Sequence, residues 1–380
     1  QDNYFDSDIF RESVKFVTDN LNVNTEYNNI PLKEEKLAEG FNKNNINYRV
    51  IPKNNSSNHG MECGFCAFGC GYGSRNSSYK VWLNNEDFNG DIYSDTSIKR
   101  MILNNNEATH IEVENSGVIS IIEVEKVILA GGSLNTPSIL LNSGYKSPQL
   151  GKNLKTHPVS GVAGRFKEEQ KPWFGSMQGM HSEDFLFKTD NYGYLLQGLP
   201  MHPSIFFPYF PNFVSSAADF IESYNNWSGA IVLTSDTSSG SLINNGPLWK
   251  YTLNDFDSNH LLDGLTKLVK SYYLAGAEEI MVSASPTMYW KRNEGQDIEE
   301  FINQILSIKN QPYRLLLGSA HQMGTARMNP NPKLGVTDLN GKVHGLNNVY
   351  IVDSSIFPRC SGVNPMVTIQ STSHFLMSQL

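Results

Sequence analysis

The stretch that most constrains the fold is Lys126-Val-Ile-Leu-Ala-Gly-Gly132, together with the residues up to Gly144. Its aliphatic, β-branched run reads as a buried strand, and two glycines directly after it permit a tight turn. Asn135 or Thr136 can then cap a helix, with Pro137 in its first turn and Ser143-Gly144 at its end. Strand, glycine turn and capped helix make one unit of an α/β nucleotide-binding layer. The flanks have another pattern. Ile92 to Val124 alternates in short β-type runs. Further on, strand-like segments at Val159 to Phe166, Ala230 to Ser235 and Ser241 to Ile243 accompany a helix-like one over His260 to Ala275. The expected class is therefore α/β and α+β together.

A chain of 380 residues can hold two domains with substantial cores, and 39% hydrophobic with 18% charged residues is an ordinary globular balance. A net charge of −8 and the lack of any basic run argue against nucleic acid as a partner. No apolar run approaches the roughly 18 residues that a spanning helix needs. The best candidate, Leu199 to Val214, is broken by Pro200, Pro203, Pro208 and Pro211. The chain opens at Gln1 and shows no charged-then-apolar leader. Pro31 to Phe41 reads as a short amphipathic helix with a packing role.

Three pieces near the C-terminus carry chemistry. The first, His321-Gln-Met-Gly-Thr-Ala-Arg-Met328, sets a histidine beside a flexible glycine turn. The second, Val349 to Val352, reads as a buried strand that delivers Asp353 either to a ligand-facing edge or to a simple turn. In the third, Ser361-Gly-Val-Asn-Pro-Met-Val-Thr368, Asn364 is a favoured N-cap and Pro365 suits the first helical position, so a helix is expected from Pro365. Its free N–H groups and positive dipole end favour negative charge, such as a phosphate or a reduced flavin ring.

Cysteine is scarce: Cys63, Cys66, Cys70 and Cys360. That is no disulfide scaffold, and a reducing, intracellular setting fits it. The first three cluster as C-x2-C-x3-C with His59 upstream, a hint of zinc or iron–sulfur, but a second ligand pair is missing and no metal is expected. The surrounding loop, Glu62 to Arg75, is dense in glycine, which allows close backbone approach to a ligand. The segment Met201 to Pro211 is unusually aromatic. Phe206, Phe207, Tyr209 and Phe210 there fit equally the core of a sheet, or an apolar channel or membrane-touching surface.

Taken in order, the three C-terminal pieces resemble the signature of the glucose-methanol-choline (GMC) family of FAD-dependent oxidoreductases. Gly132-Ser-Leu-Asn-Thr-Pro-Ser-Ile-Leu-Leu-Asn-Ser-Gly144 resembles the family's second signature, departing at its end, where Lys146 replaces a glycine. Gly151-Lys-Asn-Leu-Lys-Thr-His-Pro158 looks like its link into the substrate domain, so His157 reads as structural or cofactor-adjacent rather than as a base. The Cys-Gly-x-Cys, Gly-Cys and Tyr-Gly elements of the 62–75 loop look like the long-chain fatty alcohol oxidase branch.

The resemblance implies an FAD-binding GMC fold with an antiparallel-sheet substrate domain. Expected boundaries are a partial FAD-binding domain over residues 1–158, a substrate domain over 159–310, and a return to the FAD domain over 311–380 that carries the active site. His321 and Asn364 are the implied catalytic pair, and Gly131, Gly132, Asp353, Ser354, Pro365 and Met366 the implied cofactor-binding set. The implied reaction takes a long-chain primary alcohol to its aldehyde, with hydride passing to flavin N5, His321 as base, and oxygen reduced to hydrogen peroxide. Other alcohols or sugars within the family, or a flavin-free inactive piece, are the alternatives.

One expected element is absent. No G-x-G-x-x-G fingerprint occurs, and together with Gln1 this leads to the expectation of an N-terminally truncated oxidase lacking its first βαβ unit. Localisation is read from resemblance too: a membrane-associated or peroxisomal setting, with Ser378-Gln379-Leu380 loosely similar to a peroxisomal address.

Overall fold

The structure is a computed structural model and describes residues 5–57, 63–206, 217–309, 311 and 313–380. Its principal elements, in chain order, begin with α1 (Asp8–Asn20), α2 (Leu32–Lys43) and β1 (Arg49–Val50). Then come β2 (Thr96–Asn104), β3 (Glu107–Asn115), β4 (Val118–Glu123), β5 (Val127–Leu129) and α3 (Gly132–Asn142). The middle of the chain forms β6 (Val159–Arg165), β7 (Met180–Ser182), β8 (Tyr194–Leu199), β9 (Trp227–Thr234), α4 (Asp255–Leu274), β10 (Glu279–Val282), β11 (Met288–Lys291) and α5 (Ile298–Ser307). The C-terminal part adds β12 (Val349–Ile351) and α6 (Met366–Met377).

Seven strands form one antiparallel sheet in the order β11-β10-β6-β9-β8-β7-β1. Every residue of β9 is buried, because both faces of this strand are covered. The period of two then divides the work. Ala230 and Val232 pack with Leu261, Leu265 and Leu268 of α4, and with Leu37 and Phe41 of α2. Ile231 and Leu233 point the other way and cluster with Leu195 of β8. The helix comes unusually close to the sheet, since a Cβ at Gly264 would stand 2.5 Å from a Val232 methyl. Residues 32–50 thus contribute α2 and β1 to this sheet and its helical layer.

The second layer is built on β5 and β12, paired in parallel with Val127 opposite Val349 and Leu129 opposite Ile351. Leu129, Leu140, Ile351, Ile356 and Phe375 are in its core, which joins the strand pair to α3 and α6. The β2-β3-β4 meander flanks it. Helix α1 lies along α6, with Phe10 edge-on to Phe375 and Phe16 stacked on His374 at 4.2 Å.

Two helix starts differ from the sequence expectation. Helix α3 begins at Gly132, not after a cap at Asn135 or Thr136, and Pro137 falls inside it. The reason is tertiary: the Gly132 N–H donates to Asp353 Oδ2 at 2.9 Å and the Gly131 N–H to Thr136 Oγ1 at 2.9 Å, so a distant carboxylate holds the first turn. Helix α6 begins at Met366, with Pro365 at the flanking position and no capping bond from a side chain. Asn364 is consequently not spent on the helix. Among the described residues no helix is long and apolar enough to cross a membrane.

Candidate active site

Two segments that the sequence keeps far apart run side by side. Backbone bonds link Lys155 with Met323 in both directions (2.8 and 3.0 Å) and Val159 with Gly318 in both directions (2.9 and 2.8 Å). This ladder sets residue 157 opposite residue 321. His157 adopts a left-handed backbone, φ 49°, and the buried Asp236 carboxylate holds it there. Asp236 accepts from the His157 N–H at 3.2 Å, the Thr156 N–H at 3.0 Å and the Tyr251 hydroxyl at 2.9 Å. Such a carboxylate supplies acceptors where non-glycine backbone is strained.

The result is a ring-to-ring contact. His157 Nδ1 and His321 Nδ1 are 2.8 Å apart, within a hydrogen bond, so one proton lies between them. His157 has no exposed surface, and its Nε2 is buried without a partner. Burial, with a smaller push from His321, lowers the His157 pKa to about 3. Burial lowers that of His321 to about 4. Both rings are therefore neutral at pH 7.

His321 and Asn364 border one cavity of about 270 Å³. Its walls are mainly apolar, with Val159, Leu199, Phe206, Ile231, Leu233 and Leu316, and Gln178 and Ser283 are among the polar groups that also line it. Ile231 and Leu233 belong to the face of β9 turned away from α4, so the sheet itself forms the cavity floor. Phe206 lines the cavity, whereas Phe207, Tyr209 and Phe210 lie outside the described residues.

Gly131, Gly132, Asp353 and Ser354 meet in a neighbouring cluster. Asp353 caps the short turn after β12 through the Ser355 N–H at 2.8 Å, and its other oxygen takes the Gly132 N–H and the Thr136 hydroxyl. Of the two readings of Asp353, the turn role is visible in these bonds. Ser133 and Ser354 both donate to the Gln322 carbonyl, at 3.0 and 2.9 Å, which anchors the residue next to His321. Thr325, in the same motif, donates to the Ser133 carbonyl at 2.6 Å. That carbonyl would otherwise bond the missing N–H of Pro137. Pro365 is buried and Met366 exposed beside Asn364. Sequence reasoning did not pair His157 with His321; the His157-Pro158 step was its only sign.

The 63–75 loop borders a separate cavity with Trp173 and Ser176. Burial pushes the Cys70 thiol up, but N–H donation from Arg75, Ser74 and Tyr72 outweighs it and leaves the thiol below its ordinary pKa. Among the described residues no three His, Cys, Asp or Glu side chains converge as a metal site, and His59 lies outside those residues.

The pattern of the GMC oxidoreductases matches residues 1–159 and, in its C-terminal half, residues 229–373. The chain belongs to the GMC oxidoreductase family. Among curated relatives, long-chain-alcohol oxidase FAO4A of Arabidopsis thaliana is 30% identical over a gapped alignment of 395 positions, covering 97% of this chain and 53% of that protein. Long-chain-alcohol oxidase FAO4B of the same plant is 27% identical, covering 99% and 53%. The chain thus spans about half the length of these curated relatives. In solved structures the GMC fold recurs in pyridoxine 4-oxidase from Mesorbium loti, with a TM-score of 0.64 at 16% identity, covering 92% of this chain and 69% of that one. A formate oxidase gives 0.63 at 16%, covering 92% and 70%.

Proposed function

We propose that this chain carries the substrate cavity and catalytic pair of an FAD-dependent oxidase that converts long-chain primary alcohols to aldehydes, with oxygen reduced to hydrogen peroxide. The observation that carries the reading is one apolar cavity bordered by His321 and Asn364. The names of the plant relatives point to the same substrate class.

The residues present fit the cofactor. The first turn of α6 has no side-chain cap, and the Asn364 beside it is exposed, which leaves N–H donors for an electron-rich ring. Pro365, Met366 and the Gly131-Gly132 turn with Asp353 and Ser354 would hold it. When bound, FAD supplies the hydride acceptor.

The chain's own groups handle the rest. His321, kept neutral by burial, takes the hydroxyl proton of the alcohol, a role typically worth ~10²–10⁴-fold. The Asn364 amide, at the cavity border, donates to the oxygen as it gains charge. The apolar wall excludes water and holds the alkyl chain.

Purified protein incubated with FAD tests this. Flavin absorbance that bleaches on adding a long-chain alcohol is the expected result. In His321→Ala the bleaching should slow by about 10²-fold or more. A variant that bleached at the wild-type rate would end the base assignment.

A further inference from the structure

The Nδ1–Nδ1 contact between His157 and His321 admits one proton, and its side decides what His321 can do. If His157 donates, His321 carries its proton on Nε2 and cannot accept another there. If His321 donates, its Nε2 lone pair is free, and a proton taken at that atom leaves the charge on a ring whose Nδ1–H already has an acceptor.

We propose that His157 is a positioning residue that accepts the Nδ1–H of His321, and so fixes the His321 ring and presents its Nε2 as a bare lone pair. This rests on the reading of His321 as the base. Three observations support the positioning of the two rings, and the base role of His321 sets the side of the proton. The antiparallel ladder between residues 155–159 and 318–323 fixes the two rings opposite each other. Asp236 holds the left-handed backbone of His157, so the ring that meets His321 is set by a buried carboxylate. The two rings are tilted by 32° with centroids 5.0 Å apart, which is an edge-to-edge meeting of nitrogens rather than a stack.

The arrangement carries a cost that separates this role from packing. His157 Nε2 is buried and has no partner. With the proton on His321 Nδ1, His157 must carry its own on Nε2, an orphaned donor. Packing alone would favour the reverse, because a bare acceptor is tolerated more readily in protein interiors than a bare N–H. A functional site can hold the less comfortable tautomer.

Ring-nitrogen NMR of the ¹⁵N-histidine-labelled protein at pH 7 decides between them, with His321 assigned through the loss of its signals in His321→Ala. The expected spectrum shows a protonated Nδ1 and a bare Nε2 for His321. A protonated Nε2 with a bare Nδ1 overturns the proposal. In His157→Leu the His321 Nδ1 signal should shift toward its unprotonated position, and in His157→Asn, whose amide oxygen can accept, it should return. Flavin reduction should fall at least tenfold in His157→Leu and recover most of that in His157→Asn. If His321→Ala keeps normal turnover, the base reading fails while the wild-type spectrum still reports the tautomer. If either His157 variant does not fold, the wild-type spectrum by itself upholds or overturns the proposal.

Discussion

At the scale of single residues the histidine pair ties chemistry to stability. His157 stays neutral in the folded chain down to about pH 3 and His321 to about pH 4, while in the unfolded chain both titrate near the ordinary histidine value of 6.5. Between those limits the unfolded state binds more protons, so stability is fully present above pH 6.5 and falls as the pH drops. Each histidine contributes a loss of ~1.4 kcal/mol per pH unit in that window. Urea midpoints at pH 7, 6 and 5 measure it. His157→Leu should flatten the slope by about one histidine's share, and an unaltered slope would mean that His157 is charged in the folded chain. Gly324, in the turn after His321, offers a second check. Its φ is +90° and a Cβ would stand 2.6 Å from the Asn153 carbonyl oxygen. Gly324→Ala should therefore lower the urea midpoint, by ~1–3 kcal/mol for a strained backbone position.

At the scale of elements, the strands and helices obey their local patterns, while their starts do not. The aliphatic run at Val127–Leu129, the strand before Asp353 and the long helix ending at Leu274 were all legible because hydrophobic period and length are local properties. The start of α3 was not, because the acceptor that holds Gly132 is Asp353, more than two hundred positions away. The same holds for Pro137: inside a helix it removes an N–H, which is tolerable here because Thr325 takes the Ser133 carbonyl. Thr325→Val keeps the shape and removes the donor, leaving a buried carbonyl unpaired at a cost of ~1–3 kcal/mol. Chemical denaturation reads that loss, and an unchanged midpoint would show that the carbonyl finds another donor. In the site, motif spacing marked His321 and Asn364, whose cavity they share. It could not mark His157, because the contact depends on a ladder between segments that sequence separates and on an unusual φ that Asp236 enforces.

At the scale of the whole molecule, one sheet serves two purposes through the alternation of β9. Ala230 and Val232 are committed to the helices, and a change there is a stability change. Ile231 and Leu233 face the cavity instead, so a change there acts on what the site accepts. This division makes the proposed substrate class measurable. With primary alcohols of increasing length, kcat/KM for flavin reduction should rise about fourfold per methylene, the equivalent of ~0.8 kcal/mol, until the chain outgrows the apolar wall. Ile231→Phe adds bulk on the cavity side only, so it should move the optimum to shorter alcohols while the urea midpoint shifts little. A flat response to chain length in the wild type would point instead to small or polar alcohols. A lengthening series that rose in the wild type but kept its optimum in Ile231→Phe would place the alkyl chain along another wall, away from β9.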